Sequence, residues 1–456
     1  MSPPPLEIVI LAAGKGTRMR SARPKVLHML AGRPLIHHVL DTARALAPHA
    51  VHLVVGHDAQ AVAEAVTGSG VTIVLQDPPR GTGHAVGAAL ANISPEAAVL
   101  VLYGDVPLVT PESLAPLVAD ARAGALALLT VTQDTPDGYG RILRSGGAII
   151  GIVEDRDASP EQRAISEINT GLLAARAERL RAWISRLRAT NSQGEYYLTD
   201  VVAEACADHV AILGHTPRTP EETLGINTQA ELAQAERALQ RRQAARLLAD
   251  GVQLMDPARF DLRGSLVVGR DVVIDIGVVF EGEVVLEDEV RVGAYSILRN
   301  AYVGRATRIE PHSLIDEARV GANAVIGPFA RLRPGTNVGE GSHIGNFVEI
   351  KQSEIGAGSK INHLSYVGDS TVGARVNIGA GVITCNYDGA NKYRTAIGDD
   401  VFVGSDCQLV APVTIGAGST IGAGSTITDD VPPGGLTLSR VPQKHVPGWR
   451  RPAKKV

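Results

Sequence analysis

The run Leu11-Ala12-Ala13-Gly14-Lys15-Gly16-Thr17-Arg18-Met19 follows directly on an apolar stretch. Glycines there let the backbone approach phosphate oxygens, and consecutive N–H groups form an anion nest at a helix start. The run is not a dinucleotide fingerprint, because a third glycine is missing. It is not a Walker loop either, because no Gly-Lys-Ser/Thr closes it. Taken alone, Gly14-x-Gly16 is equally a plain turn. Arg18 and then Pro24-Lys25 put two cations just beyond it, where a triphosphate needs neutralising. Asp105 ends the run Tyr103-Gly104-Asp105, and Asn227 sits in Gly225-Ile226-Asn227-Thr228. A carboxylate and an amide oxygen suit a hard cation, although by themselves they also read as a turn residue and a helix cap.

A second set of polar residues lies near the other end. His363 stands in Ile361-Asn362-His363-Leu364-Ser365-Tyr366, with Glu349, Lys351, Arg333 and Asn377 nearby in sequence. A neutral imidazole can take the proton of an amine that attacks a thioester, and a carboxylate such as Glu349 would orient that ring. Arg333 and Lys351 suit a sugar phosphate. Backbone N–H groups in Gly/Ala-rich turns can hold the tetrahedral oxyanion. A lone histidine is also often a structural residue, so the segment around it must carry the argument.

Two kinds of architecture position these groups. Over residues 6–230, short apolar runs at Glu7–Leu11, Val51–Val55, Val71–Leu75 and Ala98–Leu102 alternate with helical stretches such as 35–46 and 83–92. That alternation predicts a wound, mainly parallel sheet with ligands at the carboxyl ends of its strands. From Thr228 to about Asp250 the chain is rich in Ala, Leu, Glu, Gln and Arg and lacks Gly and Pro, which predicts a long connecting helix stopped by Gly251. Beyond it, Val320, Ile326, Leu332, Val338, Ile344 and Ile350 recur every six residues, and the beat returns from Ile397 to Ile427. A hexapeptide repeat signals a β-solenoid with a continuous aliphatic column, expected over 252–436. The polar segment Thr384–Thr395 cannot continue that column and is expected to bulge out as a loop. The expected division is a nucleotide-handling domain over 1–229, a linker helix over 230–250 and a solenoid domain over 251–456.

Composition agrees with two folded machines. The 456 residues are 45% hydrophobic and 20% charged, with 4% aromatics and 49 glycines. A net charge of −4 draws the chain neither to nucleic acid nor to an anionic membrane. The basic tail Arg450-Arg451 with Lys454-Lys455 reads as a solvated end. Cys206, Cys385 and Cys407 are too few and scattered for a disulfide framework or a zinc site. The start, Met1-Ser2-Pro3-Pro4-Pro5, lacks the pattern of a signal peptide, and no apolar run is long enough to span a bilayer, so a cytoplasmic location is expected.

Leu11-x-x-Gly14-x-Gly16-Thr17-x-Met19 with Pro24-Lys25 and Tyr103-Gly104-Asp105 resembles the signature of sugar-1-phosphate nucleotidyltransferases. With Gln76, Gly81-Thr82-Gly83-His84-Ala85 and the hexapeptide half, residues 6–450 resemble the bacterial GlmU family. These are bifunctional N-acetylglucosamine-1-phosphate uridyltransferases and glucosamine-1-phosphate acetyltransferases. The resemblance implies a Rossmann-like α/β domain, a connecting helix and a left-handed parallel β-helix that trimerises with its active site between subunits. It implies Mg²⁺ on Asp105 and Asn227, UTP and acetyl-CoA as substrates, and glucosamine-1-phosphate as acceptor.

By the same resemblance, Leu11, Ala12, Ala13, Gly14 and Gly104 belong to the nucleotide site, and Lys25 contacts phosphate. Gln76, Gly81 and Thr82 read uracil, and Tyr103, Gly140, Glu154 and Asn169 line the sugar pocket. His363 is implied as the base. Arg333, Lys351, Tyr366 and Asn377 bind the sugar phosphate, and Ala380, Asn386, Tyr387, Ser405, Ala423 and Arg440 bind acetyl-CoA. The competing reading is a single-activity nucleotidyltransferase whose solenoid serves assembly or regulation. A stem of that kind has no need of His363, Lys351 or the Asn386-Tyr387 loop.

Overall fold

The computed structural model describes residues 3–14, 16–56, 59–452 and 454. Lys15 of the glycine-rich run, Met1, Ser2 and Lys455 lie outside the described residues. The chain divides into two compact units, Met1–Leu239 and Gln240–Val456.

The first unit is built on a mixed sheet. In spatial order its strands are Ile212–His215, Leu126–Thr132, Glu167–Arg176, Ala98–Tyr103, Leu6–Leu11, Ala50–Val55 and Thr72–Leu75. The last four pair in parallel, whereas Glu167–Arg176 runs antiparallel to both its neighbours. Alternate residues of the central strands face opposite sides. Ile8, Ile10, Leu100 and Leu102 enter one core, and Val9, Leu11, Val99 and Val101 enter the other. Burial on both faces is why these strands read as unbroken apolar runs. Helices Leu35–Ala45 and Pro111–Ala123 cover the first face, and helices Thr82–Leu90 and Ala177–Arg186 the second.

Leu6–Leu11 and Ala98–Tyr103 pair in register, so the glycine-rich run and the Tyr103-Gly104-Asp105 turn leave the sheet side by side. The Gly104 N–H donates to the Leu11 carbonyl at 2.9 Å.

The predicted connecting helix spans Gln229–Ala249, and Gly251 follows in the left-handed conformation at φ 91°. Its first half packs within the first unit, where Ala235 joins Met19, Leu30, Leu35, Leu108 and Ile226. Its second half belongs to the second unit, where Ala244 and Leu247 join the solenoid core and the Gln240 amide exchanges hydrogen bonds with the Leu262 backbone.

The second unit is a parallel β-helix. One ladder of 11 short strands runs from Gln253–Leu254 to Leu436–Thr437, and another of 17 runs from Phe260–Val268 to Thr426–Ile427. All six aliphatic residues of the Val320–Ile350 beat are buried. Glycine follows four of the six, and these glycines and their counterparts in later coils allow close stacking. A Cβ on Gly404 would lie 2.5 Å from the Ala423 nitrogen of the next coil. The predicted loop is present as a register jump: Glu354 pairs with Thr371, but one coil later Ser370 pairs with Thr395. No helix among the described residues is long and apolar enough to cross a membrane.

Candidate active sites

In the first unit a cleft of about 640 Å³ opens beside the glycine-rich run. Leu11, Ala12, Ala13, Gly14, Lys25, Gln76, Gly81, Thr82, Tyr103, Asp105 and Asn227 all line it. One backbone link and one side-chain cap place the amide beside the carboxylate. The Ile226 N–H donates to the Asp105 carbonyl at 2.9 Å, which docks the Asn227 segment beside the strand end. Glu231, in the first turn of the following helix, accepts from the Asn227 N–H at 2.7 Å and from the Thr228 hydroxyl at 3.0 Å. Asn227 is thus held by the helix start as well as placed in the site.

The oxygens of Asp105 and Asn227 converge on one cation. The Lys25 ammonium donates to the Asp105 carboxylate and, at 3.1 Å, to the Asn227 amide oxygen. The Arg18 guanidinium donates to that same amide oxygen at 2.9 Å. Among the described residues no cluster of three or more His, Cys, Asp or Glu is able to hold a metal by itself. Two converging oxygens fit a hard divalent ion only as a shared site, completed by phosphate oxygens and water.

Gln76 is buried, and its amide nitrogen donates to the Gly81 carbonyl at 2.9 Å. Gly81 is required twice over: its φ is 105°, and a Cβ there would lie 2.6 Å from the Tyr196 carbonyl oxygen. Gly140, Glu154 and Asn169 lie outside that cleft but close to one another. The Asn169 N–H donates to the Gly140 carbonyl at 2.8 Å, and a Cβ on Gly140 would sit 3.5 Å from the Glu154 carboxylate. Gly171, beside Asn169, packs on the Tyr103 ring, so Tyr103 joins this group to the cleft. Burial pushes the Glu154 carboxyl up, against the Thr199 hydroxyl that donates to it at 2.8 Å. Burial likewise raises the Tyr103 phenol. Sequence reasoning missed Thr199 and Glu231, whose contacts depend on folding, and Glu195, which also lines the cleft.

On the solenoid the polar residues fall into two groups. Asn346 pairs with His363, Ile361 with Ile378, Ile378 with Val403 and Val403 with Ile421. That register stacks Asn346, His363, Ala380, Ser405 and Ala423 in one column over successive coils. The Arg440 guanidinium donates to the Ala423 carbonyl at 2.8 Å. Asn377 sits off this column, paired with Lys360 and Phe402.

The other group lies on the second ladder. Arg333 donates to Glu349 at 2.8 Å, with Arg331 3.5 Å from the same carboxylate. Asn386 donates to Asp369, and its amide lies 3.5 Å from the Tyr366 hydroxyl. The Lys351 ammonium has no hydrogen-bond or ion-pair partner among the described residues. Tyr387 is exposed and donates to the Gly389 carbonyl at 2.6 Å, within the protruding loop.

The expectation that Glu349 orients His363 is corrected here. Glu349 is committed to two arginines on its own ladder. The His363 ring meets the Asn346 amide instead, with 2.8 Å between Nδ1 and Oδ1. Sequence distance could not reveal this, because the partner lies one coil away.

Comparison with known proteins agrees with both halves. The family model of the MobA-like NTP transferase domain matches residues 8–250, and that of the bacterial transferase hexapeptide (six repeats) matches 317–352 and 394–429. Three curated proteins, each named "Bifunctional protein GlmU", match almost end to end. That of Azoarcus sp. is 54% identical over 98% of this chain and 100% of its own. That of Aromatoleum aromaticum is 53% identical over 99% of each. That of Ralstonia nicotianae is 55% identical over 98% of this chain and 99% of its own. With a nucleotidyltransferase domain, a hexapeptide β-helix and identity of this level over nearly the whole chain, the protein belongs to the GlmU family.

Proposed function

We propose that the chain makes UDP-N-acetylglucosamine in two steps. The solenoid acetylates glucosamine-1-phosphate with acetyl-CoA. The α/β unit then transfers UMP from UTP to the N-acetylglucosamine-1-phosphate so formed, releasing pyrophosphate. What carries this reading is one chain holding two separate constellations: a phosphate cleft where Lys25, Asp105 and Asn227 converge, and a column that carries an exposed imidazole.

In acetyl transfer the amine nitrogen forms a bond to the thioester carbonyl carbon, and the carbonyl π pair moves onto oxygen. His363 Nε2 takes the proton that the amine loses. The oxyanion then re-forms the carbonyl, the C–S bond breaks, and the imidazolium returns the proton to the departing thiolate. Arg333 and Lys351, with Tyr366 and Asn377, receive the sugar phosphate. Ala380, Ser405 and Ala423 leave a shallow path for the pantetheine arm, with Arg440 at its end and the Asn386-Tyr387 loop beside it.

In uridyl transfer an oxygen of the sugar phosphate attacks the α-phosphorus, and the bond to pyrophosphate breaks. The backbone of Leu11–Gly14 and the Lys25 ammonium receive the phosphates. Gln76, Gly81 and Thr82 border the base, and Tyr103, Gly140, Glu154 and Asn169 border the sugar. Asp105 and Asn227 would hold a divalent ion such as Mg²⁺, which would supply charge neutralisation.

The chain would act as a homotrimer in the cytoplasm. An exposed ladder supports assembly: Tyr295, His312, Phe329 and Phe347 stack face to face along one corner, with centroids 4.9–5.4 Å apart. Such a stripe suits contact between copies. Two separate assays test the reading. Pyrophosphate release from UTP, N-acetylglucosamine-1-phosphate and Mg²⁺ is expected, as is free thiol from acetyl-CoA and glucosamine-1-phosphate. Absence of either product removes the corresponding activity.

A further inference from the structure

The hydrogen bond from His363 sets which ring nitrogen is free. Nδ1 lies 2.8 Å from the Asn346 amide oxygen, so Nδ1 carries the proton and donates, and Nε2 keeps its lone pair. No hydrogen bond among the described residues engages Nε2. The geometry is fixed from both sides. Asn346 and His363 are paired residues of adjacent coils, so the spacing between their side chains is that of the ladder. The backbone at Asn346 has no freedom to drift, because Gly345 stacks so closely on the next coil that a Cβ there would lie 2.1 Å from the Asn362 carbonyl oxygen. The His363 carbonyl is tied by the Ser365 hydroxyl at 2.8 Å. Glu349, the carboxylate that would otherwise serve, is bound to Arg333.

We infer that Asn346 is the positioning residue of acetyl transfer: its amide oxygen holds His363 in the Nδ1–H tautomer and aims Nε2 at the amine. The inference rests on His363 being the acetyl-transfer base. An amide rather than a carboxylate in this place orients the ring without adding charge beside it.

The test measures kcat and KM of acetyl transfer for the full-length enzyme and for Asn346→Leu, Asn346→Asp and His363→Ala. Circular-dichroism melting of the same preparations checks that the solenoid is folded, and uridyl transfer checks the other unit. Leucine keeps the size and removes the acceptor, whereas aspartate keeps an acceptor oxygen. The expected result is a kcat loss of about 10- to 100-fold for Asn346→Leu, part of the 10²–10⁴ range of base catalysis, with KM for both substrates within about two-fold. Asn346→Asp is expected to recover most of that loss. Equal losses in both Asn346 variants, a rise in KM without a fall in kcat, or activity within two-fold of the parent in Asn346→Leu would overturn the assignment. Full activity in His363→Ala would instead overturn the base assignment itself, and the role of Asn346 with it.

Discussion

At the residue scale, the phosphate cleft separates charge handling from recognition. Asp105 and Asn227 lie far apart in sequence, yet both bind the Lys25 ammonium. Asp105→Ala and Asn227→Ala are each expected to cut uridyl transfer by about 100-fold or more while leaving acetyl transfer unchanged, a split that the two assays read directly. Glu154 carries a burial cost that its proposed place at the sugar would account for. Burial raises its carboxyl pKa in the folded protein, because desolvation penalises the charged form. The stability this contributes is full below the ordinary glutamate range and is lost as pH rises through the raised value. Glu154→Gln cannot ionise and keeps an acceptor for Thr199. It is expected to melt higher than the parent near neutral pH, with the gap closing as pH falls into the carboxylate range, and to slow uridyl transfer. A melting temperature unchanged at every pH would contradict this.

The sequence made the glycine-rich run and Asp105 legible because their spacing follows from a strand end. It hid Thr199 and Asn346, which meet Glu154 and His363 only across folded elements.

At the element scale, the six-residue beat is legible because each repeat is one strand and one turn. Two features of the coils are not. The corner residues at positive φ include Tyr295, Phe329, Phe347 and Leu364, types that do not signal left-handed backbone. Buried serines also hold neighbouring coils together, as when the Ser342 and Ser359 hydroxyls donate to the Gly356 and Gly373 carbonyls at 3.1 and 2.8 Å. Stacking makes specific demands. Ile350→Ala is expected to cost about 2–5 kcal/mol in solenoid stability, as large-to-small changes in a packed core do. Gly404→Val should be worse tolerated, because even one added carbon meets backbone 2.5 Å away. Chemical denaturation followed by acetyl transfer checks both, and wild-type stability in either variant would contradict the stacking account.

At the scale of the whole molecule, two units with separate cores carry two chemistries. The sequence showed the change of architecture through its change of period. It showed the connecting helix as one segment, but not that its halves pack into different units. Removing divalent metal with a chelator is expected to stop uridyl transfer and spare acetyl transfer if, as proposed, only the first uses a metal on the Asp105–Asn227 pair. If copies share the solenoid site, dilution to monomer will abolish acetyl transfer first. Equal loss of both activities would count against a shared site.

The most direct measurement is mass spectrometry of one incubation with glucosamine-1-phosphate, acetyl-CoA labelled in its acetyl group, UTP and Mg²⁺. The account expects UDP-N-acetylglucosamine carrying the label on its amide. Unchanged glucosamine-1-phosphate, or a UDP-sugar without the acetyl group, would contradict it and leave the β-helix as a stem.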